Sequence, residues 1–331
     1  MNLHENAKLF RDTITDTALF LNIEEIFIEK DYWLTYALQR MAQNPNTEKV
    51  VFKGGTSLSK GYRITNRFSE DIDIAVIDAN SFTGNQLKML IKRLAKDMSV
   101  GLEEKVIPKV TSKGSRFYKA IYTYPSIIAK EAKTAVKSGE LLIEINTYGN
   151  PYPYVKQEIT SFITEYFKVE NLTDLLEQYG LQSFILNVLD KRRTMLEKIV
   201  SLLRFSFDEN PKTELSKKIR HFYDLFYLTN NAECADYIQS AEFYNDLQEL
   251  FAYDQTEFDI PKGWTNKVIS NSPLLIEFSE FWKSLKVTYK DELSNLAFVE
   301  IPDEQLIEET FLKLIKRIKN DPILYHPVAR N

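Results

Sequence analysis

The sequence has little cysteine, little histidine and no long apolar run. Cys234 is the single cysteine, so an internal disulfide and a cysteine-based zinc cluster are both excluded. The histidines, His4, His221 and His326, are far apart in the chain, which argues against a zinc site built from histidines. A bound metal ion is therefore expected to use carboxylate oxygens.

Apolar stretches are too short to form a membrane span. None approaches the roughly 20 apolar residues that cross a bilayer, and the N-terminal sequence has no cationic end followed by an apolar run. We therefore expect no membrane partner and a cytoplasmic location. The formal net charge of −5 argues against a surface coated with positive charge for general nucleic-acid binding, which leaves room only for a local basic patch.

The chain of 331 residues is long enough for two domains, and its apolar spacing changes near the middle. An α/β domain with N-terminal helices is predicted at residues 1–168, and a mainly helical domain at residues 169–331. The predicted elements of the first domain are helices at 5–45, 56–62 and 85–98, strands at 50–52 and 71–76, and further strands in VIPKV, FYKAIYTY and LLIEINTY.

Two aspartates alternate with apolar residues in the segment DIDIAV. Because side chains in a strand point to alternate faces, Asp71 and Asp73 project to one side while Ile72 and Ile74 enter the core. Carboxylates held this close repel each other unless a divalent cation lies between them. We expect Mg²⁺, or Mn²⁺ in its place, because Mg²⁺ prefers oxygen ligands and takes one or two carboxylates together with substrate phosphates.

A glycine pair, Gly54 and Gly55, stands between a predicted strand and a predicted helix. Backbone N–H groups at the start of a helix can approach phosphate oxygens closely where no Cβ covers them. Thr56 and Ser57 would add hydroxyl donors, and Lys60 a positive charge. The turn is therefore predicted to bind the triphosphate of a nucleotide, and the two carboxylates to hold the metal ion that bridges it.

Each of these features also has an ordinary structural explanation. A lone Asp-x-Asp on a strand is more often a solvated edge pattern, and a lone Gly-Gly is nearly always only a turn. The ordered combination of glycine turn, hydroxyl pair, short helix, loop and Asp-x-Asp favours a functional site.

These residues resemble the signature of the polymerase-β nucleotidyltransferase superfamily. Similarity to the AbiEii-type abortive-infection toxins extends from residue 28 to about residue 228, in IEKDYWLT, FKGGTSLSKGY, RFSEDIDIAV, RTMLEK and RHFYDLFYL. The resemblance implies an α/β (α+β) fold with a mixed sheet flanked by helices, followed by a helical C-terminal domain. It also implies an enzyme that moves a nucleotide from a nucleoside triphosphate (NTP) onto an acceptor, with a cognate antitoxin as partner.

The resemblance assigns the glycine turn to phosphate binding and the two aspartates to the metal. Lys198 resembles a motif lysine that contacts the triphosphate, and Asp224 resembles a late essential aspartate. One departure follows the Glu197-Lys198 pair, after which the family often continues to Leu-His, whereas this chain reads Ser201-Leu202-Leu203-Arg204. Glu144, in LLIEIN, fits the third carboxylate that such enzymes place on a later strand, either to complete the metal site or to take the acceptor proton. A surface glutamate on an edge strand is the equal alternative.

Other charged residues are candidates of lower rank. Asp224 lies one turn after Arg220, so an ordinary intrahelical ion pair is the alternative to its role in the site. The segment Glu29-Lys30-Asp31 is predicted to support the glycine turn rather than to touch substrate. Basic residues with interleaved tyrosines are predicted to rim the cleft and to bind an RNA acceptor, namely Lys53, Lys60, Arg63, Arg67, Lys113, Arg116, Lys119, Tyr118, Tyr122 and Tyr124.

Three functions are open on this basis. The first is a toxin that transfers a nucleotide to RNA, with the 3′ end of tRNA as the expected acceptor and an antitoxin that holds it in check. The second is nucleotidyl transfer to a hydroxyl of a protein or small molecule. The third is a non-catalytic nucleotide-binding module, against which the paired carboxylates beside a phosphate-binding turn argue.

Overall fold

The structure is a computed structural model that describes residues 1–69, 71–128, 139–149 and 151–320. The chain divides into two compact units, Met1–Leu189 and Asp190–Asn331. The first unit extends past the predicted boundary at residue 168 to Leu189, because it includes a strand that the sequence patterns do not predict. In the described ranges no helix is both long enough and apolar enough to cross a bilayer.

The first unit alternates helices with the strands of a sheet. Its helices are α1 (Ala7–Leu21), α2 (Glu25–Ala42), α3 (Gly54–Lys60), α4 (Gly84–Met98), α5 (Phe162–Val169) and α6 (Thr173–Gln178). Its strands are β1 (Val50–Lys53), β2 (Asp71–Val76), β3 (Glu103–Lys105), β4 (Ser112–Lys113), β5 (Phe117–Thr123), β6 (Glu140–Asn146), β7 (Tyr154–Ile159) and β8 (Phe184–Leu189).

The strands of the described residues form a mixed sheet in the order β3-β5-β6-β2-β1-β8-β7, and β4 also pairs with β5. β2 runs parallel to β6, and β1 runs parallel to β8. The other pairs are antiparallel. The predicted mixed sheet flanked by helices is confirmed, and β1 and β2 lie at its centre.

The central strands have one buried face and one half-buried face. Ile72 and Ile74 of β2 lie beside Ile143 and Ile145 of β6, and all of these side chains are fully buried. Helices α2 and α4 both pack against β6. The intervening residues of β2, starting with Asp71, point to the half-buried face. The alternation predicted for this strand is confirmed, and it makes one face available for polar groups.

One strand prediction is wrong. The segment VIPKV forms a loop and turn in which the amides of Val110 and Thr111 both donate to the carbonyl of Ile107, and Val106 is exposed. The short strands β3 and β4 lie on either side of it. An apolar composition alone does not make a strand, because a strand needs a partner for its backbone hydrogen bonds.

The second unit is helical in its described residues, as predicted. Aromatic rings of Phe222, Phe278, Trp282 and Phe311 pack together in its core, with centroid separations between 4.6 and 6.2 Å. Its helices are α7 (Lys191–Ser206), α8 (Pro211–Ser216), α9 (Ile219–Asn230), α10 (Ala232–Gln239), α11 (Glu242–Glu257), α12 (Pro273–Ile276), α13 (Phe278–Ser294) and α14 (Glu304–Lys319).

A largely buried ion pair joins α7 to α11. Arg204 lies with Nη1 3.2 Å from each carboxylate oxygen of Asp254. Trp264 Nε1 also donates to Asp254 Oδ1, at 2.9 Å. Burial disfavours the charged carboxylate more than these partners stabilise it, and it raises the pKa of Asp254 to about 6.

This raised pKa predicts a pH-dependent stability. The pKa of Asp254 is about 6 in the folded chain against an ordinary value of 3.8, so the folded state binds a proton that the unfolded state has released between these values. The stabilising contribution is fully present below about pH 3.8 and is lost as the pH rises through about 6. Urea unfolding of the protein and of Asp254→Asn from pH 4 to pH 7 should show the variant gaining relative stability as pH rises; a difference independent of pH would contradict the assignment.

Candidate active site

A row of charged side chains crosses the half-buried face of the sheet. Lys53 of β1 lies opposite Asp73 of β2, Asp73 lies beside Glu144 of β6, and Glu144 lies opposite Lys119 of β5. Neighbouring strands are about 4.8 Å apart, so the carboxylates are close neighbours with a lysine on either side. Asp71, two residues before Asp73, points to the same face.

The glycine turn lies directly against Asp73. Gly54 has a φ of +79°, in the left-handed region where a Cβ is strained. A Cβ at this position would lie 2.2 Å from Asp73 Oδ2, so the turn has no room for a side chain. The hydroxyl of Thr56 donates to the backbone carbonyl of Asp71. The turn and both aspartates, which the sequence analysis grouped by their order, are thus in contact.

The hydroxyls of Thr56 and Ser57 do not point into the cleft as predicted. Both residues are buried; the Thr56 hydroxyl bonds to β2, and Ser57 Oγ donates to the carbonyl of Gly54 at 2.8 Å. These bonds tie α3 to the strand and close the turn on itself. With both hydroxyls bonded inward, backbone N–H groups are the groups of the turn that can bind phosphate.

Lys60 is also directed away from the turn, contrary to its predicted role in nucleotide binding. Its Nζ donates to Asp31 Oδ1 at 2.5 Å and to the carbonyl of Thr160 at 2.6 Å, in a buried position at the other end of α3. The cation beside the turn is Arg67 instead, because a Cβ on Gly55 would lie 2.4 Å from Arg67 Nη2. Arg67 is one of the basic residues predicted from the sequence to rim the cleft.

The predicted basic and aromatic rim needs correction as well. Tyr118, Tyr122 and Tyr124 are buried, on the opposite face from Lys119, so they cannot stack on a base. Several of the basic side chains are paired with acids, in Arg63–Glu165, Lys113–Glu104 and Lys119–Glu144 at 2.9, 2.7 and 3.3 Å. Phe117 is a half-buried aromatic side chain on the carboxylate face, and its ring centroid is 6.1 Å from that of Tyr148.

In the second unit, Lys198 of α7 and Asp224 of α9 form a buried ion pair. Lys198 Nζ is 2.7 Å from Asp224 Oδ2, and the side chains are 7% and 0% exposed. The alternative of an intrahelical pair between Arg220 and Asp224 is not formed, because Arg220 Nε donates to Glu292 Oε1 of α13 at 2.6 Å. Both family-implied residues are therefore brought together, although contact with a nucleotide stays a prediction.

Comparison with known proteins shows which family the chain belongs to. The family model described as "Nucleotidyl transferase AbiEii toxin, Type IV TA system" matches residues 36–313. The chain belongs to the AbiEii nucleotidyltransferase toxin family. Membership makes the protein a nucleotidyltransferase of the type IV toxin–antitoxin class, with an NTP as substrate and an antitoxin as partner. A non-catalytic binding module is thereby set aside.

A solved structure of another nucleotidyltransferase toxin has a similar fold. The chain is similar to MenT4, a nucleotidyltransferase toxin from Mycobacterium tuberculosis H37Rv, with a TM-score of 0.54 and 16% sequence identity. The match covers 96% of this chain and 89% of MenT4, so both units take part in it. A search of curated protein sequences gives no match.

The donor set of this AbiEii member fits a hard divalent cation. Asp71 and Asp73 supply carboxylate oxygens on a half-buried face. Because Gly54 has no Cβ, the backbone of the turn can lie directly against the Asp73 carboxylate. Within the described ranges, no group of three or more His, Cys, Asp or Glu side chains has an arrangement suited to a metal ion. The role of Glu144 as a third metal ligand stays a prediction. An aspartate pair leaves the remaining coordination positions to water and substrate phosphates, as Mg²⁺ prefers.

The buried pair in α7 and α9 gives a testable prediction. Lys198→Met leaves the charge of Asp224 buried, and we expect it to lower the free energy of unfolding by about 3 kcal/mol. The double variant Lys198→Met/Asp224→Leu should recover much of that loss, because both charges are then removed. Urea unfolding measures the stability, and an NTP transfer assay measures the activity. If the pair serves the reaction, the stabilised double variant stays inactive; recovered activity would make its role purely structural.

Proposed function

We propose that this AbiEii protein transfers a nucleotide from an NTP to an RNA acceptor, using the Asp71–Asp73 pair and the glycine turn as its catalytic centre. The observation that carries the proposal is the contact between these parts, because a Cβ on Gly54 would lie 2.2 Å from Asp73 Oδ2. A turn that offers backbone N–H groups beside two carboxylates suits a triphosphate bridged to a divalent cation.

Asp71 and Asp73 would hold the divalent cation, Mg²⁺ or Mn²⁺. When bound, the cation neutralises phosphate charge and the charge that develops on the leaving group. The backbone of the turn orients the triphosphate, and Arg67 adds positive charge beside Gly55. Lys198 is proposed to contact the triphosphate, and Asp224 to orient Lys198.

The reaction forms one bond and breaks another at the α-phosphorus. The acceptor hydroxyl attacks in line, a new oxygen–phosphorus bond forms, and the bond to the bridging oxygen of the β-phosphate breaks to release pyrophosphate. The hydroxyl proton needs an acceptor near the attacking oxygen. Glu144, next to Asp73 in the sheet, is our candidate for that general base, since its side chain is partly exposed and on the same face.

An RNA acceptor is favoured by the toxin family and by the groups on the carboxylate face. Lys53 and Lys119 flank the carboxylates, and Phe117 lies on the same face with a half-buried ring that can stack on an unpaired base. The 3′ end of tRNA is the proposed target, because it is a single-stranded end with a free hydroxyl.

A labelling experiment tests the acceptor. The protein is incubated with Mg²⁺, one α-labelled NTP at a time, and either total RNA or an RNA-free lysate. We expect label in RNA, none with Asp71→Ala, and none after periodate oxidation of the RNA 3′-terminal diol. Label that appears only on protein or small molecules would replace the RNA acceptor with the second function, while label that survives periodate would exclude the 3′ end.

A further inference from the structure

Three consecutive charged residues are buried in the middle of α2. Glu29, Lys30 and Asp31 are 0%, 1% and 2% exposed. Successive residues of an α-helix point about 100° apart, so all of them can be buried only if protein surrounds the helix. Burying charge is costly unless each group has partners. Such a cluster therefore indicates a specific arrangement of the segments around α2 rather than a solvated helix face.

Each member of the cluster reaches a different segment. Glu29 accepts hydrogen bonds from Ser126 Oγ and the Ile127 amide, both at 2.6 Å, just after β5. Lys30 Nζ lies 5.9 Å from the ring centroid of Phe68, in the segment that precedes β2. Asp31 reaches α3 and α5. Helix α2 thus contacts the segment after β5, the segment before β2, and helix α3.

Both carboxylate oxygens of Asp31 are in use. Oδ1 accepts from Lys60 Nζ at 2.5 Å, and Oδ2 accepts from the Phe162 amide at 2.8 Å, at the start of α5. Lys60 Nζ also donates to the Thr160 carbonyl at 2.6 Å. The Lys60 and Asp31 side chains are 9% and 2% exposed. Lys60, the last residue of α3, is therefore anchored from two sides.

The opposite end of α3 contacts Asp71 and Asp73, the proposed catalytic carboxylates. Gly54, the first residue of the helix, lies against Asp73 Oδ2, and the Thr56 hydroxyl bonds to the carbonyl of Asp71. Seven residues of helix span only about 10 Å. Because α3 is this short, a shift of Lys60 is expected to move the glycine turn as well, and with it the contacts to Asp71 and Asp73.

We propose that Asp31 is a positioning residue for nucleotidyl transfer: through Lys60 it fixes α3, and through α3 it fixes the glycine turn against Asp71 and Asp73. The link to catalysis rests on the proposed function, whereas the link to α3 does not. Lys60 then has a structural role in the protein interior, where it holds the end of α3 in place. The competing role, a direct Lys60 contact with phosphate, would require Nζ to leave both of its acceptors.

A double-mutant cycle distinguishes these roles. Asp31→Asn keeps the shape of the side chain, Lys60→Met keeps much of the length, and the double variant removes both charges. Misplacement of reacting groups by about 1 Å can cost on the order of 100-fold in rate, so we expect kcat to fall about 10- to 100-fold in each single variant, with the KM for NTP little changed. The kcat of the double variant should be no lower than that of the less active single variant, because all three variants lose the same Asp31–Lys60 interaction. A raised KM for NTP in Lys60→Met, with the two losses multiplying in the double variant, would overturn the proposal.

Amide hydrogen exchange of the full-length chain tests the link to α3 without any assay of activity. We expect faster exchange across residues 53–62 in Asp31→Asn and in Lys60→Met than in the unchanged protein. Asp254→Asn is the matched control, since it breaks a largely buried ion pair of the second unit and should leave exchange across residues 53–62 and kcat unchanged. If the unchanged protein transfers no nucleotide, the proposed function fails while this exchange result still decides the anchoring of α3. Unchanged exchange across residues 53–62 in both variants would overturn the inference.

Discussion

Asp73→Asn is expected to reduce the rate of nucleotidyl transfer by roughly a thousandfold or more. Asparagine has nearly the same shape, so the contact with Gly54 is preserved. Asp73 lies between Lys53 and Glu144 on the carboxylate face of the sheet. The substitution removes the negative charge with which Asp73 would bind the proposed cation. Stability should change little, because the change also relieves repulsion between neighbouring carboxylates. Transfer of label from NTP to RNA and urea unfolding measure the two effects.

Glu103→Gln provides the control for Asp73→Asn. Glu103 is an exposed residue of the edge strand β3, so the same loss of one carboxylate charge from the sheet should leave the rate within about twofold. Asp71→Asn should lower the rate as strongly as Asp73→Asn. If Asp73→Asn kept more than a tenth of the activity, the carboxylate pair could not be the metal-binding centre.

Gly54→Ala is expected to combine loss of activity with loss of stability. The left-handed backbone alone costs about 1–2 kcal/mol for a residue with a Cβ. The added Cβ would lie 2.2 Å from Asp73 Oδ2, so either the turn or the carboxylate must move. We expect activity to fall at least about 100-fold, since displacement on this scale misplaces the triphosphate relative to the cation. Transfer assays and urea unfolding again give both quantities.

Gly101→Ala separates the two causes. Gly101 has a φ of +80°, against +79° for Gly54, and a Cβ there would meet nothing within 4 Å. This variant should show the backbone cost alone and normal activity. Equal activity losses in the two variants would mean that global destabilisation, rather than displacement of Asp73, explains the effect of Gly54→Ala.

Local patterns predicted the central strands well, because the information lies within a few residues. The alternation in Asp71–Val76 indicated both the strand and the face of its aspartates. The strand β8 was missed because Phe184–Leu189 is a short apolar run amid helical patterns, and its parallel partner β1 is far away in the sequence. Such long-range pairing, which also sets the unit boundary at Leu189, has no local signature.

Side-chain direction explains most of the corrections at the site. Alternation along β5 already places Tyr118 and Tyr122 on the opposite face from Lys119, so that signal was available in the sequence. No comparable signal existed for Lys60. Its direction depends on Asp31 and on the Thr160 carbonyl, which only the folded chain brings to the end of α3. The inward bonds of Thr56 likewise depend on where β2 packs.

The most direct test is a crystal structure of the protein with Mg²⁺ and a non-hydrolysable NTP analogue. We predict a cation ligated by the carboxylates of Asp71 and Asp73 and by phosphate oxygens, with the triphosphate against the backbone of residues 54–57. A cation bound elsewhere, or a triphosphate away from that turn, would contradict it.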